Sequence, residues 1–190
     1  ERTMCTFLGT AGKINENDIN TNAIKNSEIL FLEGYLWDKG EPKKAFDKAM
    51  QNSNKVAMSL SDLFCVERHK INFLELVKNK LDIIFANEQE ILSLISCKSI
   101  NDAISFSKEL HKNIVITRGN KGAIAINNKE VAECPAKENL DLIDLTGAGD
   151  LFAAGYLHGQ INNLSTKDCL IKGTELSSKV IQQFGARIKN

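Results

Sequence analysis

The sequence Asp144-Leu-Thr-Gly-Ala-Gly-Asp-Leu-Phe-Ala-Ala-Gly-Tyr-Leu-His158 joins a short glycine turn to an apolar, alanine-rich run. The pattern predicts a helix that begins in the turn, and the amides of Ala148, Gly149 and Asp150 are expected to be free donors there. Such a helix N-terminus suits an anion, phosphate above all. Asp150 beside it is placed to accept a proton from a hydroxyl that attacks the phosphate. The alternative is that Asp150 caps the helix and that Gly147 and Gly149 only make a turn.

This stretch resembles the second signature of the ribokinase-like (PfkB-type) carbohydrate and nucleoside kinases, which reads Asp-Thr-x-Gly-Ala-Gly-Asp and continues into a helix of small and apolar residues. The positions that fit are Asp144, Thr146, Gly147, Ala148, Gly149, Asp150, Ala153, Ala154 and Gly155. Leu145 departs from the pattern, because a small or β-branched residue is usual there, but it touches no catalytic atom. The resemblance implies that Gly147, Ala148 and Gly149 form an anion hole and that Asp150 is the catalytic base.

A second motif, Asn87-Glu-Gln-Glu90, follows the apolar run at 81–86. It resembles the family's Asn-x-x-Glu motif, which helps to hold Mg²⁺ and phosphate through water. Asn87 and Glu90 lie three residues apart across a predicted strand-to-helix junction, so their oxygens can face one site, and a hard cation prefers oxygen ligands. The alternative is that Glu90 is only a solvated acid in the first turn of a helix, a position that acids favour.

A third motif, Thr117-Arg-Gly-Asn-Lys-Gly122, follows the strand-like residues 113–116. It resembles the family's Thr-x-Gly-x-x-Gly nucleotide loop, so Thr117, Gly119 and Gly122 are expected to bind nucleotide. Taken alone, the motif is equally well a hairpin between two apolar runs. Because three motifs occur in the family's order, the resemblance covers essentially the whole chain, from residues 2–4 to the region of residues 180–186.

The composition is typical of a globular enzyme. The chain has 190 residues, of which 43% are hydrophobic and 25% charged, and its formal net charge is zero. With this charge balance, the chain has no excess of basic residues of the kind that bind nucleic acid or an anionic membrane. No signal peptide is visible, and the five scattered cysteines are expected to be reduced thiols of a cytoplasmic protein.

Hydrophobic periodicity and breaker residues predict alternating elements. Helix 66–79 is expected to be amphipathic, with Ile71, Leu74 and Val77 on one side. The predicted strands span 3–8, 28–33, 55–60, 81–86, 113–117, 123–127 and 129–134, and the predicted helices span 15–25, 42–53, 66–79, 88–95, 101–111, 148–161 and 166–184.

Such alternation predicts parallel strands joined by crossover helices, with ligands beyond the carboxyl ends of the strands. The three motifs all follow strand-like or extended segments and are therefore expected to converge on one crevice. The family resemblance implies the same α/β architecture, a three-layer α/β/α sandwich with a mostly parallel sheet. Residues 1–190 are expected to be a single nucleotide-binding α/β domain of an incomplete kinase. We expect this chain to lack the N-terminal substrate and lid part of such kinases, since its start resembles the family just after that part.

The sequence gives a less specific indication of the acceptor than of the nucleotide. Segments 32–38, 60–65 and 7–9 resemble bacterial kinases of the adenosine-kinase-like branch. Glu33, at a predicted strand end, is expected either to hydrogen-bond a ribose hydroxyl or to be an ordinary loop acid. Trp37 is expected to anchor a loop, with a stacking wall for a base as the alternative. Adenosine is the first choice of acceptor, and a free sugar such as ribose or fructose is the second.

The resemblance implies in-line transfer of the γ-phosphoryl group of ATP to a primary hydroxyl, with ATP and Mg²⁺ as cofactors. The helix end at residues 178–186, with Ser178 in it, is expected to wall the adenine. Two other classes stay open: an ATP-binding fragment without catalysis, and an interaction protein on a borrowed kinase scaffold. The sequence leaves open the oligomeric state and the need for a monovalent cation, which some relatives bind beside the anion hole.

Overall fold

The computed structural model describes residue 5, residues 7–37 and residues 41–189. The chain divides into two compact units, Glu1–Leu81 and Asp82–Asn190. The single domain expected over residues 1–190 stays a prediction, and each unit is described by itself.

The first unit contains two parallel strands and three α-helices among its described residues. β1 (Leu30–Glu33) and β2 (Val56–Ser59) pair in register, so that Glu33 at the end of β1 lies opposite Ser59 at the end of β2. Pro42 occupies the first turn of α2 (Pro42–Gln51), and Asp62 caps α3 (Leu63–Asn79) by accepting a hydrogen bond from the amide of Cys65 at 2.6 Å. The α-helices and strands are α1 (Thr21–Lys25), β1 (Leu30–Glu33), α2 (Pro42–Gln51), β2 (Val56–Ser59) and α3 (Leu63–Asn79), with short 3₁₀ helices at Gly9–Lys13, Glu16–Asp18 and Gly34–Trp37.

The N-terminal part of this unit differs from the sequence-based expectation. Of the strand expected at 3–8, residues 3, 4 and 6 lie outside the described residues, and residues 5, 7 and 8 are not part of a strand. The helix expected over 15–25 is split into a 3₁₀ turn and α1, because Asn15 and Asn20 each cap a separate turn and Ile19 between them is extended. Two capping side chains close together therefore outweigh the continuous helical pattern.

Helix α3 buries a different face from the expected one. Ile71 is 86% exposed, so its assignment to the same side as Val77 is wrong. The buried stripe is formed by Val66, Phe73 and Leu76 together with Val77. Phe73 has the largest side chain of this stripe, and its ring packs against Trp37 with centroids 6.1 Å apart.

Trp37 is a core residue of the first unit. Its side chain is 8% exposed, and it makes edge-to-face contacts with Phe46 and Phe73. The Lys43 ammonium lies 5.1 Å from the centroid of its ring, a cation–π distance. These contacts confirm the interpretation of Trp37 as a loop anchor and leave no open face on which a base could stack.

Among its described residues, the second unit contains four strands and four α-helices. β3 pairs with β4 in parallel, and β4, β5 and β6 pair in antiparallel order. The elements are β3 (Ile83–Asn87), α4 (Glu88–Leu94), α5 (Ile100–Leu110), β4 (Asn113–Thr117), β5 (Ala123–Asn127), β6 (Glu130–Cys134), α6 (Ala148–Ile161) and α7 (Thr166–Val180). Each of them was predicted to within a few residues, and α7 shows the largest difference because it ends at Val180 rather than at 184.

The sheet of the second unit is covered on both faces. Successive residues of β4, Ile114–Ile116, are all fully buried although their side chains alternate between the two faces. Helices α5 and α7 both contact β5. Helix α6 packs against the sheet through Tyr156, whose ring meets Phe85 edge-on at 5.6 Å. This is the α/β arrangement of helices around a sheet that the sequence predicts.

Across the described parts of the chain, no helix is both long enough and apolar enough to span a bilayer.

Candidate functional site

Two of the sequence motifs leave the sheet side by side. Asn87 is the last residue of β3, Thr117 is the last residue of β4, and the two are register partners in the parallel pair. Parallel strands end at the same edge of a sheet, which is where ligands bind in α/β proteins. The convergence of these two motifs follows directly from that pairing.

Asn87 and Glu90 form a reciprocal capping box at the start of α4. The amide of Glu90 donates to Asn87 Oδ1 at 2.9 Å, and the backbone and side-chain nitrogens of Asn87 donate to the two carboxylate oxygens of Glu90 at 2.9 and 2.6 Å. Glu90 is only 4% exposed. The alternative of a solvated first-turn acid is therefore wrong, while a role in holding a metal through water stays a prediction.

The sequence predicts that Asn87 and Glu90 help to hold a magnesium ion through water. Among residues 5, 7–37 and 41–189 no group of three His, Cys, Asp or Glu side chains is arranged to hold a metal. Mg²⁺ keeps several waters and binds through one or two carboxylates together with substrate phosphates. Asn87 and Glu90 bind each other in the capping box and Glu90 is buried, so only an outer, water-mediated role toward such an ion is predicted for them.

The loop at 117–122 follows β4 and closes on itself. The amide of Arg118 donates to the carbonyl of Gly122 at 2.8 Å, and a 3₁₀ turn spans Gly119–Lys121. Gly122 has φ +84°, and a Cβ there would collide with the carbonyl oxygen of Cys134. Only glycine fits this position, because the backbone of β6 passes directly beside it.

A cavity of about 550 Å³ lies in the second unit between this loop and the start of α6. Its volume is in the range of small-molecule sites. Of the residues predicted to bind nucleotide, Thr117, Gly119, Gly122 and Ser178 all line it, as do Ala148 and Gly149 of the predicted anion hole. The remaining wall is largely apolar and includes Leu140, Leu142, Leu145, Phe152 and Ile181.

The turn before α6 has a defined geometry. Gly147 has φ +80° and ψ +2°, as at the third position of a type II turn, and the amide of Ala148 donates to the carbonyl of Leu145 at 3.2 Å. The expectation that the Ala148 amide is a free donor is therefore wrong, because the turn itself uses it. For the amides of Gly149 and Asp150, the described part of the chain provides no hydrogen-bond acceptor.

Gly147 also packs against the segment that follows α7. A Cβ on Gly147 would lie 2.8 Å from both Cα and Cβ of Ala186. Gly147 itself is not among the cavity-lining residues. The structure shows that Gly147 shapes the turn, and its part in the anion hole stays a prediction.

Asp150 is the third residue of α6 and is exposed. It follows the cavity-lining pair Ala148 and Gly149 but does not line the cavity. Asp150 belongs to the first turn of a fourteen-residue helix, as do the amides of Gly149 and Asp150 that have no acceptor among the described residues. This arrangement can place a carboxylate next to a bound phosphate, which is what a proton acceptor in phosphoryl transfer requires.

Glu33 belongs to the first unit. It is the last residue of β1, is half-buried, and lies in register with Ser59. Close to it in the sequence, the backbone amide of Tyr35 donates to the hydroxyl of Ser61 at 3.2 Å. The carboxyl ends of β1 and β2 thus carry polar side chains, and the role of Glu33 stays a prediction.

Several cavity residues carry no sequence signal. Thr174 and Ser177 on α7 line the cavity beside Ser178, and Lys137 and Asn139 line it from the segment after β6. They belong to no motif. The spacing of Thr174, Ser177 and Ser178, three and four residues apart, is the one clue, since it places them on one face of a helix.

The chain belongs to the pfkB family of carbohydrate kinases, whose pattern it matches over residues 1–190. This membership accounts for the three motifs and for the α/β fold together.

Individual relatives include both nucleoside and sugar kinases. The crystal structure of adenosine kinase from Sinorhizobium meliloti superposes with a TM-score of 0.89 at 32% identity, covering 93% of this chain and 55% of that one. Ribokinase from Lactococcus lactis is 26% identical over 165 residues, which is 86% of this chain and 51% of the relative. An E. coli protein assigned as a ribokinase II, solved with ATP and Mg²⁺, has a TM-score of 0.82 at 17% identity, covers 92% of this chain and 59% of that one, and shares the fold. The chain spans about half the length of such relatives.

Proposed function

We propose that this chain binds Mg-ATP in the cavity of the second unit and takes part in transfer of the γ-phosphoryl group to a primary hydroxyl of a ribose-like acceptor. The observation that carries the proposal is the start of α6. There the amides of Gly149 and Asp150 face no acceptor within the described residues, at the edge of a cavity that the nucleotide loop also lines. A helix N-terminus with free amides next to a glycine loop suits a polyphosphate.

In this proposal, separate groups of residues bind the base, the triphosphate and the magnesium ion of the nucleotide. The apolar wall formed by Leu142, Phe152 and Ile181 receives the base of the nucleotide, and Ser178 contributes a hydroxyl beside it. Thr117 and the glycines of the loop hold the triphosphate along the strand edge. Mg²⁺, when bound, neutralises charge on the phosphates, with Asn87 and Glu90 holding its water shell.

Asp150 is the proton acceptor in this proposal. Its carboxylate accepts the proton of the acceptor hydroxyl while the hydroxyl oxygen forms a bond to phosphorus and the oxygen of ADP departs. The amides at the start of α6 stabilise the charge that develops on the phosphoryl oxygens. Glu33 holds an acceptor hydroxyl in this proposal.

Adenosine is the proposed acceptor, supported by the likeness to the adenosine kinase of Sinorhizobium meliloti, which is 32% identical and superposes with a TM-score of 0.89. A free sugar such as ribose or fructose is the second candidate, supported by the likeness to ribokinase of Lactococcus lactis. An ATP-binding fragment without catalysis is the third, because the chain spans only about half the length of these relatives.

The test is a phosphoryl-transfer screen on the full-length protein with Mg-ATP and adenosine, other nucleosides, ribose or fructose. Asp150→Asn is expected to lower turnover about a hundredfold or more with little change in ATP affinity. Asp102→Asn is the matched control, because Asp102 is exposed and occupies the same third position of its own helix, α5. Asp102→Asn is expected to retain wild-type turnover.

The outcomes separate the candidates. Transfer to adenosine that Asp150→Asn abolishes supports the nucleoside kinase and the base together. Transfer to a sugar alone keeps the mechanism and changes the acceptor. ATP binding without transfer to any acceptor supports the binding fragment, and turnover of Asp150→Asn within a few-fold of wild type removes Asp150 from the base role.

A further inference from the structure

A partly buried ion pair joins two of the motifs in the second unit. Arg118 Nε donates to Glu88 Oε2 at 3.1 Å, and the two side chains are 18% and 26% exposed. The pair is therefore more shielded from water than the exposed pairs of this chain, such as Lys44–Glu41 and Lys172–Glu175. Such shielding strengthens a charge-assisted hydrogen bond.

The pair sits at the point where both motifs leave the sheet. Glu88 follows Asn87 at the end of β3, and Arg118 follows Thr117 at the end of β4, the register partner of Asn87. Glu88 is the first residue of α4 and adjoins the capping box. The pair therefore connects the start of α4 with the start of the nucleotide loop across thirty residues of sequence.

Arg118 controls the loop through its backbone. Its amide donates to the carbonyl of Gly122 at 2.8 Å, and its carbonyl accepts from the amide of Lys121 at 3.1 Å. Arg118 is not a cavity-lining residue, whereas Thr117, Gly119 and Gly122 around it are. An interaction that holds Arg118 in place therefore also restrains the neighbouring loop residues that face the cavity.

We infer that Glu88 is a positioning residue for nucleotide binding, acting through Arg118 on the loop at 117–122. The inference rests on the proposed nucleotide site. The Glu88 carboxylate holds the Arg118 side chain, and the anchored arginine holds the loop closed in the conformation that lines the cavity. Glu88 thereby couples the loop to the capping box of Asn87 and Glu90 without contacting the ligand.

Lys121 provides a control within the same loop. Its ammonium lies 3.9 Å from the same oxygen of Glu88, but its side chain is 62% exposed and it does not line the cavity. An exposed pair at this distance contributes little. Lys121→Gln removes a positive charge of the same sign from the same loop and is expected to leave nucleotide affinity unchanged.

The experiment is a double-mutant cycle with Glu88→Gln, Arg118→Gln and the double variant, in the full-length protein. Isothermal titration calorimetry gives the affinity for Mg-ATP, and urea unfolding gives the stability. Each single variant is expected to weaken Mg-ATP binding roughly threefold to tenfold. The double variant is expected to be no weaker than either single one, because both remove the same interaction.

Further readouts distinguish positioning from a general loss of stability. Amide hydrogen exchange at residues 119–122 is expected to accelerate in both single variants, while exchange in α6 and α7 stays at wild-type rates. Arg118→Lys keeps the charge and loses the Nε donor, so its affinity is expected to fall between those of wild type and Arg118→Gln.

Wild-type affinity in Glu88→Gln and Arg118→Gln would overturn the inference while leaving the nucleotide site intact. Additive losses in the double variant, or an equal loss in Lys121→Gln, would also overturn it, since the effect would then not belong to the pair. A wild-type protein that binds no Mg-ATP would remove the proposed function and this inference with it.

Discussion

The carboxylate of Asp144 joins the signature turn to the segment that follows α7. One oxygen accepts a hydrogen bond from the amide of Thr146 and the other accepts from the amide of Gly185, each at 2.9 Å. The amides of Ile143 and Asp144 also donate to the carbonyl of Ile181. The first residue of the signature is therefore a structural clamp on the turn that precedes α6.

Replacing this clamp is expected to destabilise the protein. Asp144→Ala leaves the amides of Thr146 and Gly185 without their acceptor, which should cost about 1–3 kcal/mol of unfolding free energy. Urea unfolding measures the loss, and the Gly185 amide is expected to exchange faster with solvent. Asp141→Ala is the control, because Asp141 is exposed and lies three residues earlier. Equal stability of the two variants would mean that the clamp contributes nothing.

Two glycines of α6 are expected to respond to alanine in opposite ways. A Cβ on Gly149 meets no atom within 4 Å, whereas a Cβ on Gly155 would lie 2.5 Å from the carbonyl oxygen of Lys172 on α7. Gly149→Ala should therefore raise the unfolding free energy by about 0.5–1 kcal/mol, since alanine favours a helix. Gly155→Ala should lower it by about 1–3 kcal/mol, because the two helices must move apart.

Gly149→Ala is also expected to lower phosphoryl-transfer activity, although it makes the protein more stable. Gly149 lines the cavity beside the free amides, so its added methyl group occupies space that the proposed phosphate needs. Phosphoryl transfer by Gly149→Ala should fall about tenfold to a hundredfold although the protein is more stable. Kinetic assays and urea unfolding on the same preparations check this. Wild-type turnover in Gly149→Ala would place the phosphate elsewhere.

The sequence predicted the second unit well because its signals are local. β4 and β5 consist mainly of β-branched and small apolar residues and are separated by the glycine-containing loop at 118–122, and α6 starts directly after Gly147. Both strands and this helix have the predicted bounds. The cavity residues within motifs were predicted for the same reason. The use of the Ala148 amide by its own turn was missed, because it depends on the backbone angles of Gly147.

What the sequence did not predict depends on contacts between distant residues. Glu88 and Arg118 are thirty positions apart and meet only because β3 and β4 are neighbours in the sheet. The buried face of α3 was assigned wrongly because Phe73 packs on Trp37, and nothing in the helix itself reveals that partner. Helical periodicity identifies the apolar faces of a helix, but it does not show which face is buried when two faces are apolar.

Ionisation of Tyr156 is expected to lower the unfolding free energy at alkaline pH. Its hydroxyl donates to Asn113 Oδ1 at 3.0 Å, and burial raises the pKa of this phenol well above its usual value. A group whose pKa is higher in the folded state stabilises the protein below its unfolded pKa and loses that contribution as pH rises above it. The unfolding free energy should therefore decline from about pH 10 upward.

Tyr156→Phe isolates this contribution. The variant should lose about 1–3 kcal/mol at neutral pH, because Asn113 Oδ1 is left buried without its donor. Its decline above about pH 10 should be shallower than that of wild type. Urea unfolding of both proteins across this range measures the difference, and parallel curves would show that another group causes the alkaline loss.

Ser61, two residues after the end of β2, has a strained backbone that glycine should relieve. Its φ is +75°, which is unfavourable for a residue with a Cβ, and its hydroxyl accepts from the amide of Tyr35. Ser61→Gly and Ser61→Ala both lose the hydroxyl, but only glycine removes the strain. Ser61→Gly should therefore be more stable than Ser61→Ala by about 1 kcal/mol in urea unfolding. At Ser53, which is also half-buried and lacks a positive φ, the order should reverse. A Ser61→Ala variant as stable as Ser61→Gly would show that the strain is absent in solution.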